Sequence, residues 1–333
     1  MNILLTFDYE LFFGPISGTP ENCIITPTER LIEIAEKHNV PMCFFVDAGY
    51  LVQMAQEASN HMRIREQKQL LHNQLKKITQ SGHEVQLHIH PHWEDSHFDG
   101  SQWRMKLDRY KLADFSKEGI DDIVTRYKNE LEKITKKKIF VYRAGGWSIQ
   151  PFSKIKNSLI KNGITIDSTI FPGGFYFSHH QSFDFRAAPN LPEWPFEDDP
   201  CAKVPNGSFR EIPISSMQVS PLFYWRLALS KISNKLNHSP YGDGNAASAS
   251  KKELLRMLTQ GSFSTVSTDG YKAVLLSEAL NQYEKVQGHK GNFVTIGHPK
   301  AATPFSLSKL ESFIKHNKSR HNFLHYSDLI QNR

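Results

Sequence analysis

Cysteine is scarce in this chain: three residues in 333, Cys23, Cys43 and Cys201, widely spaced and odd in number. Such a set builds no disulfide framework and reads as free thiols in a reducing compartment. No apolar run approaches the roughly 20 residues that span a bilayer, so a transmembrane helix is excluded from the reading. The opening residues carry no basic stretch, apolar segment and small-residue cleavage site of the secretory kind. Instead Asn2-Ile3-Leu4-Leu5-Thr6-Phe7 runs straight to Asp8 and Glu10, and a cytoplasmic location is the expectation. Tandem repeats and long low-complexity tracts are missing too. The net charge of +6 is mild, and the one dense basic run, Lys136-Lys137-Lys138, reads as a solvated helix end. With no matching motif, nucleic acid is discounted as a partner.

What remains is an ordinary globular composition, 39% hydrophobic and 22% charged, enough for a sizeable core without staples. Short apolar runs at 2–8, 40–46, 83–88, 139–143, 164–168 and 292–297 read as strands buried on both faces. Helical patterns alternate with them at roughly 27–38, 62–81, 117–135, 151–162, 271–287 and 305–317. Thr26 and Pro27 suit the N-cap and first turn of the first helix, and Gly82 and Gly163 suit helix ends. Strand–helix alternation of this kind predicts an α/β fold, a barrel or an open doubly wound sheet, over 1–333 as one domain. The regularity breaks in a loop-rich insertion around 170–262, with a helix-like segment at 221–236 and a small-residue linker at 242–250.

The densest chemistry is Gly82-His83-Glu84-Val85-Gln86-Leu87-His88-Ile89-His90-Pro91-His92-Trp93, which has four histidines at the end of a buried strand. Neutral imidazole is the commonest metal-binding side chain. His88 and His92, four apart, can present nitrogens to one cation if the backbone turns sharply, and Pro91 suits the first turn of a helix there. His83 reads as a strand-edge histidine; His90 stays open between a helix N-cap and a groove-facing position. Four further segments place polar residues at strand ends: Thr6-Phe7-Asp8-Tyr9-Glu10, Tyr142-Arg143-Ala144-Gly145-Gly146-Trp147, Ile166-Asp167-Ser168-Thr169 and Ile296-Gly297-His298-Pro299. Catalytic residues of parallel barrels come from several strand ends on one face. Asp269 is left without an assignment.

Taken in order from residue 6 to residue 298, these segments resemble the polysaccharide deacetylase family, carbohydrate esterase family 4, also called the NodB homology domain. Its motifs are Thr-Phe-Asp-Asp, His-x-x-x-His, an Arg-x-Pro-x-Gly-like motif, an Asp-containing motif and a terminal Leu-x-His. The resemblance implies a distorted (β/α) barrel of seven parallel strands. It also implies a divalent metal, zinc or else cobalt or manganese, held by a carboxylate and two histidines. His88 and His92 would be ligands, and Asp8 the catalytic base. Tyr9 stands where the family has its metal-binding Asp; Glu10 is the nearest replacement, as in a Phe-Asp-x-Glu subgroup, with Asp8 as the alternative ligand. By the same resemblance Arg143 tunes Asp8, His298 is the general acid and Asp167 holds His298. Gly146, Trp147 and Phe171 would line the substrate groove.

The expected function is therefore metal-dependent removal of an N-acetyl group from an amino sugar. The expected setting is a cytoplasmic surface-polysaccharide or glycolipid pathway, such as O-antigen, lipopolysaccharide or capsule precursors. Two competing readings accompany it. One is a hydrolase of a small non-sugar amide, with or without metal; the other is a non-catalytic sugar-binding protein on the same barrel. Metal content separates the first from the expected function, and acetate release separates the second.

Overall fold

The strands that frame the molecule are β1 (Asn2–Tyr9), β2 (Cys43–Asp47), β3 (Glu84–Ile89), β4 (Val141–Ala144) and β5 (Ile166–Asp167). They are followed by β6 (Trp194–Phe196), β7 (Phe209–Glu211), β8 (Ser216–Val219), β9 (Ser262–Thr265), β10 (Asn292–Gly297) and β11 (Asn322–Phe323). The structure, a computed structural model, describes residues 1–233, 235–245, 251–288 and 291–331. The main sheet runs β6-β7-β5-β4-β3-β2-β1-β10, and all its pairings are parallel except β6 with β7. Seven parallel strands thus form a curled, distorted barrel. Past β7 the chain bridges the remaining gap: Ile214 N–H donates to Ile170 O (2.8 Å) and Ser215 N–H to Val294 O (2.9 Å).

Period-two alternation sorts each strand's side chains between two cores. Ile3, Leu5, Phe7, Phe44, Val46, Val85 and Leu87 face outward and join the large cluster under the helices. Leu4, Cys43, Phe45, Val141, Ile166, Ile212 and Val294 fill the barrel interior, with Tyr326 and Leu329 among them. Further along β1–β4 the inward face changes character to Asp8, Asp47, His88 and Arg143, all buried. An apolar plug therefore floors an ionisable layer at the C-terminal strand ends.

The covering helices are α1 (Thr26–His38), α2 (Ala48–Glu57), α3 (Met62–Gln80), α4 (Lys117–Thr135) and α5 (Lys156–Lys161). After the insertion come α9 (Leu276–Gln287), α10 (Pro304–Asn317) and α11 (Tyr326–Gln331); the insertion itself contributes α6 (Pro221–Ser233), α7 (Lys235–His238) and α8 (Lys251–Thr259). Ser116 Oγ caps α4 by accepting from Gly119 N–H, and Thr303 and Ser306 form a reciprocal capping box at α10. Gly82 follows the end of α3 at φ +80°, where a side chain would be strained. Thr26, the expected cap, is already helical, because a π-helical turn over Glu21–Ile25 leads into α1. The pattern at 151–162 yields only α5 behind a 3₁₀ turn. The excursion α6–α8 leaves the barrel between β8 and β9, which pair antiparallel. Residues 246–250 of the small-residue linker lie outside the described residues.

Candidate active site

The same alternation decides which residues of Asp8-Tyr9-Glu10 meet the barrel mouth. Asp8 and Glu10 point inward, whereas Tyr9 points to the helices and donates its hydroxyl to Gln74 Oε1 (2.9 Å). At the end of β3 the backbone is still extended at His90 (φ −106°, ψ 96°), so His88 and His90, two apart, share a face. Glu10 Oε2 lies 2.7 Å from His90 Nε2 and 3.0 Å from His88 Nε2, and the two imidazole nitrogens are 3.1 Å apart. Among the described residues, Glu10, His88 and His90 form the group able to hold one cation. His92, the expected ligand, is not in it. Pro91 opens a 3₁₀ turn over Pro91–Asp95 that carries the His92 ring away. There it stacks on Tyr110 (5.8 Å, 8°), with neither ring nitrogen hydrogen-bonded.

The donor set fits a divalent cation such as zinc, for which two imidazoles and a carboxylate are a familiar combination. His88 Nδ1–H donates to Arg143 O (2.9 Å), which leaves Nε2 of a neutral ring as the lone pair facing Glu10. Burial would raise Glu10, but Lys300, His90 and His88 outweigh it and hold the carboxyl well below its usual range. Burial pushes His90 down to about 4, favouring the neutral ring a metal needs, with Glu10 opposing. Burial also disfavours charge on His88, yet Asp8 and Glu10 raise it above its ordinary value. Lys300 Nζ takes the other Glu10 oxygen, Oε1, at 2.8 Å and also donates to Leu11 O.

Beside this group stand Asp8 and His298. Arg143, buried, donates from Nη1 to Asp8 Oδ1 (2.6 Å) and from Nε to Ser168 O (2.8 Å), and its guanidinium lies 3.9 Å over the Phe45 ring. Asp8 Oδ2 is left facing His298 Nε2 (3.7 Å) and His88 Nε2 (3.9 Å). His298 is fixed twice by Asp269: its backbone N–H donates to Oδ1 (2.7 Å) and its Nδ1 to Oδ2 (2.8 Å). Burial works against a charged His298, but Asp269 raises it above the ordinary histidine value. Asp167, expected in that role, does not touch His298. It accepts from Thr169 N–H (3.0 Å) and Oγ1–H (2.8 Å) and sits in register with Glu211 of β7. The reason is topological. A parallel bridge between Ser267 and Ile296 lays Asp269 alongside the end of β10, while Asp167 belongs to β5 on the far run of the sheet.

These groups surround a cavity of about 160 Å³, walled also by Phe13, Tyr110, Gly146, Trp147 and Gln181. Gly146 adopts φ +58°, and a Cβ there would strike the Tyr110 hydroxyl, so glycine keeps this wall open. Phe171 does not line the cavity; it is buried behind Trp147, ring centroids 5.5 Å apart. Sequence reasoning left His90 and Asp269 unassigned and passed over Lys300 and Tyr110. A signal for His90 was available: both His90-Pro91 and His298-Pro299 follow an apolar strand and open a 3₁₀ turn.

The model of the family described as polysaccharide deacetylase matches residues 2–161. Among solved structures, a Mycobacterium smegmatis protein classed as a polysaccharide deacetylase aligns with TM-score 0.56 and 18% identity, over 99% of this chain and 89% of its own. That likeness speaks for the fold. A polysaccharide deacetylase from Bacillus cereus gives TM-score 0.39 and 14% identity, covering 98% of this chain and 93% of that one. A family 4 carbohydrate esterase from Streptomyces lividans, solved with acetate, gives 0.39 and 11%, covering 96% and 88%. No curated protein matches the chain.

Proposed function

We propose that this chain, whose residues 2–161 match the polysaccharide deacetylase family, is a metal-dependent N-deacetylase of an acetamido sugar. One observation carries the reading: Glu10, His88 and His90 converge on one point beside Asp8 and His298, in a single small cavity. Its ligands are then Glu10, His88 and His90, on a single-domain barrel. The finer part of the proposal is that the cation is zinc, with cobalt or manganese serving the same donors. The sugar would belong to a glycan or glycolipid precursor of a surface polysaccharide, handled in the cytoplasm.

When bound, a divalent cation polarises an acyl oxygen and lowers the pKa of water. The chain's own residues supply the proton traffic. Asp8 Oδ2 takes the proton of the attacking water, while Arg143 on Oδ1 balances the charge and fixes the carboxylate's direction. His298 Nε2 hands a proton to the departing amine nitrogen as the C–N bond breaks, giving acetate and the free amino sugar. Asp269 is the positioning residue that keeps Nδ1 of His298 protonated and Nε2 aimed at the cavity. Trp147 and Tyr110 offer aromatic walls against which a sugar ring packs.

The test is elemental analysis of the purified protein combined with an acetate-release assay on N-acetylated oligosaccharides. Metal near one equivalent, activity abolished by chelator and restored by zinc, cobalt or manganese, and loss of both in His88→Ala and His90→Ala are expected. His92→Ala keeps its metal. Activity that survives replacing His88 and His90 together sinks the metal mechanism. Glycan binding without acetate release in metal-loaded protein replaces catalysis by a binding role. Cell fractionation checks the cytoplasmic setting.

A further inference from the structure

The helix α6 is apolar on two sides. Phe223 and Tyr224 face inward, where Phe223 meets Tyr271 (5.7 Å) and the Tyr224 hydroxyl pairs with Ser262 (2.9 Å). The opposite face is also apolar, although a surface helix ordinarily turns polar residues to water. Leu222, Trp225 and Leu229 recur at spacings of three and four and stand exposed, Trp225 at 52% and Leu229 at 61%. Leu236 of α7 follows at 87% exposure, and Leu254 and Leu255 of α8 are exposed as well. The two longer helices are neighbours: Trp225 Nε1–H donates to Leu258 O at the end of α8 (3.2 Å). Residues 221–260 also carry six Lys or Arg against one Asp and one Glu, a net +4 of the chain's +6.

We infer that this helical excursion docks the protein on an anionic lipid surface, with Leu222, Trp225, Leu229 and Leu236 entering the headgroup layer. Apolar side chains beside a tryptophan and a cationic surround are the composition of an interfacial helix. A second copy of this chain fits less well, because a symmetric contact would bring together two segments that each carry a net charge of +4. The excursion is fastened at the catalytic end of the barrel. Tyr241 N–H donates to Ala302 O (3.0 Å) and Gly242 N–H to Lys300 O (3.1 Å), and Lys300 holds Glu10. Docking stands independently of the proposed reaction; that it brings the cavity to lipid-linked sugars rests on the deacetylase reading.

The experiment is co-sedimentation of the full chain with vesicles of phosphatidylcholine, alone or with about 30 mol% phosphatidylglycerol, in low salt and in about 0.5 M salt. Binding to the anionic vesicles is expected to exceed binding to the neutral ones about tenfold and to weaken in high salt. Leu229→Glu and, separately, Leu236→Glu reduce it about tenfold, with melting temperatures unchanged because both side chains are exposed. Absence of binding to anionic vesicles, or binding by both variants at the parent level, overturns the inference. So does a dimer in sedimentation velocity that Leu229→Glu dissociates, which would assign the face to a second copy. Acetate release from a soluble substrate, measured on the same variants, stays at the parent level and separates failure of docking from failure of the catalytic reading.

Discussion

Asp8 and Asp167 occupy comparable places, each buried at or near the C-terminal end of a parallel strand, yet their surroundings are opposite. Asp8 meets a guanidinium at 2.6 Å and keeps its second oxygen open toward His298 and His88. Asp167 accepts from Thr169 with both oxygens and pairs with another carboxyl, Glu211. Burial pushes both of that pair upward, Glu211 well above its usual range with Asp167 adding to the effect. A carboxylate held by a guanidinium through one oxygen keeps the other open to a proton donor, whereas a buried carboxyl pair with no cation in hydrogen-bond contact shares protons and acts as a strut. Position on the barrel is therefore not enough to assign a role; the partner of the second oxygen decides.

Removing the cation from the first site breaks this contrast most severely. Arg143→Ala leaves Asp8 buried and unpaired, and a loss of about 3–5 kcal/mol in urea-unfolding stability is expected, with acetate release at background. Arg143→Lys keeps the charge but loses the planar grip on Ser168, so it recovers stability in part and activity poorly. The next effect separates Asp269, which holds His298, from Asp167. Asp269→Asn frees the His298 ring, and kcat falls about 10²-fold or more with KM little changed. Asp167→Asn leaves kcat within about threefold, since nothing of the reaction touches it. Equal losses in the two variants would return Asp167 to the catalytic set.

The barrel was legible because its strands are buried on both faces and read as apolar runs. The exception is Phe209-Arg210-Glu211, three residues inside a proline-rich stretch, whose place as the seventh parallel strand depends on pairing with Ile166 and Asp167. The helix Ala48–Glu57 escaped notice because no gap separates it from β2. At the site, Asp8, Glu10, His88, Arg143 and His298 were all visible as polar strand ends. The His-x-x-x-His motif points to His92 and requires a sharp turn directly after His88; the chain stays extended for two more residues, and period two brings His90 inward instead. Motif order suggested Asp167 as the partner of His298, but order along the chain carries no register. Only the Ser267–Ile296 bridge reveals Asp269. Lys300 was invisible for a similar reason: its ammonium reaches Glu10 across 290 residues of sequence.

The mildest perturbation tests the strut. Below the ordinary carboxyl range Asp167 and Glu211 are protonated in folded and unfolded chains alike. As pH rises, the unfolded chain releases both protons first, while the folded pair, raised by burial and in Glu211 also by the neighbouring Asp167, retains at least one. The folded state then binds more protons, so the pair's contribution to stability is fully present at low pH and declines as pH climbs toward the folded values. The slope is about 1.4 kcal/mol per pH unit for each proton retained. Glu211→Gln preserves the shape, and its amide still accepts from Ile170 N–H while donating to Asp167. The variant is therefore expected to lose less stability than the parent between mildly acidic and mildly alkaline pH, with urea midpoints measured across that range as the check. Parallel pH profiles for the two proteins would mean that Glu211 is charged in the fold, and the contrast with Asp8 would collapse.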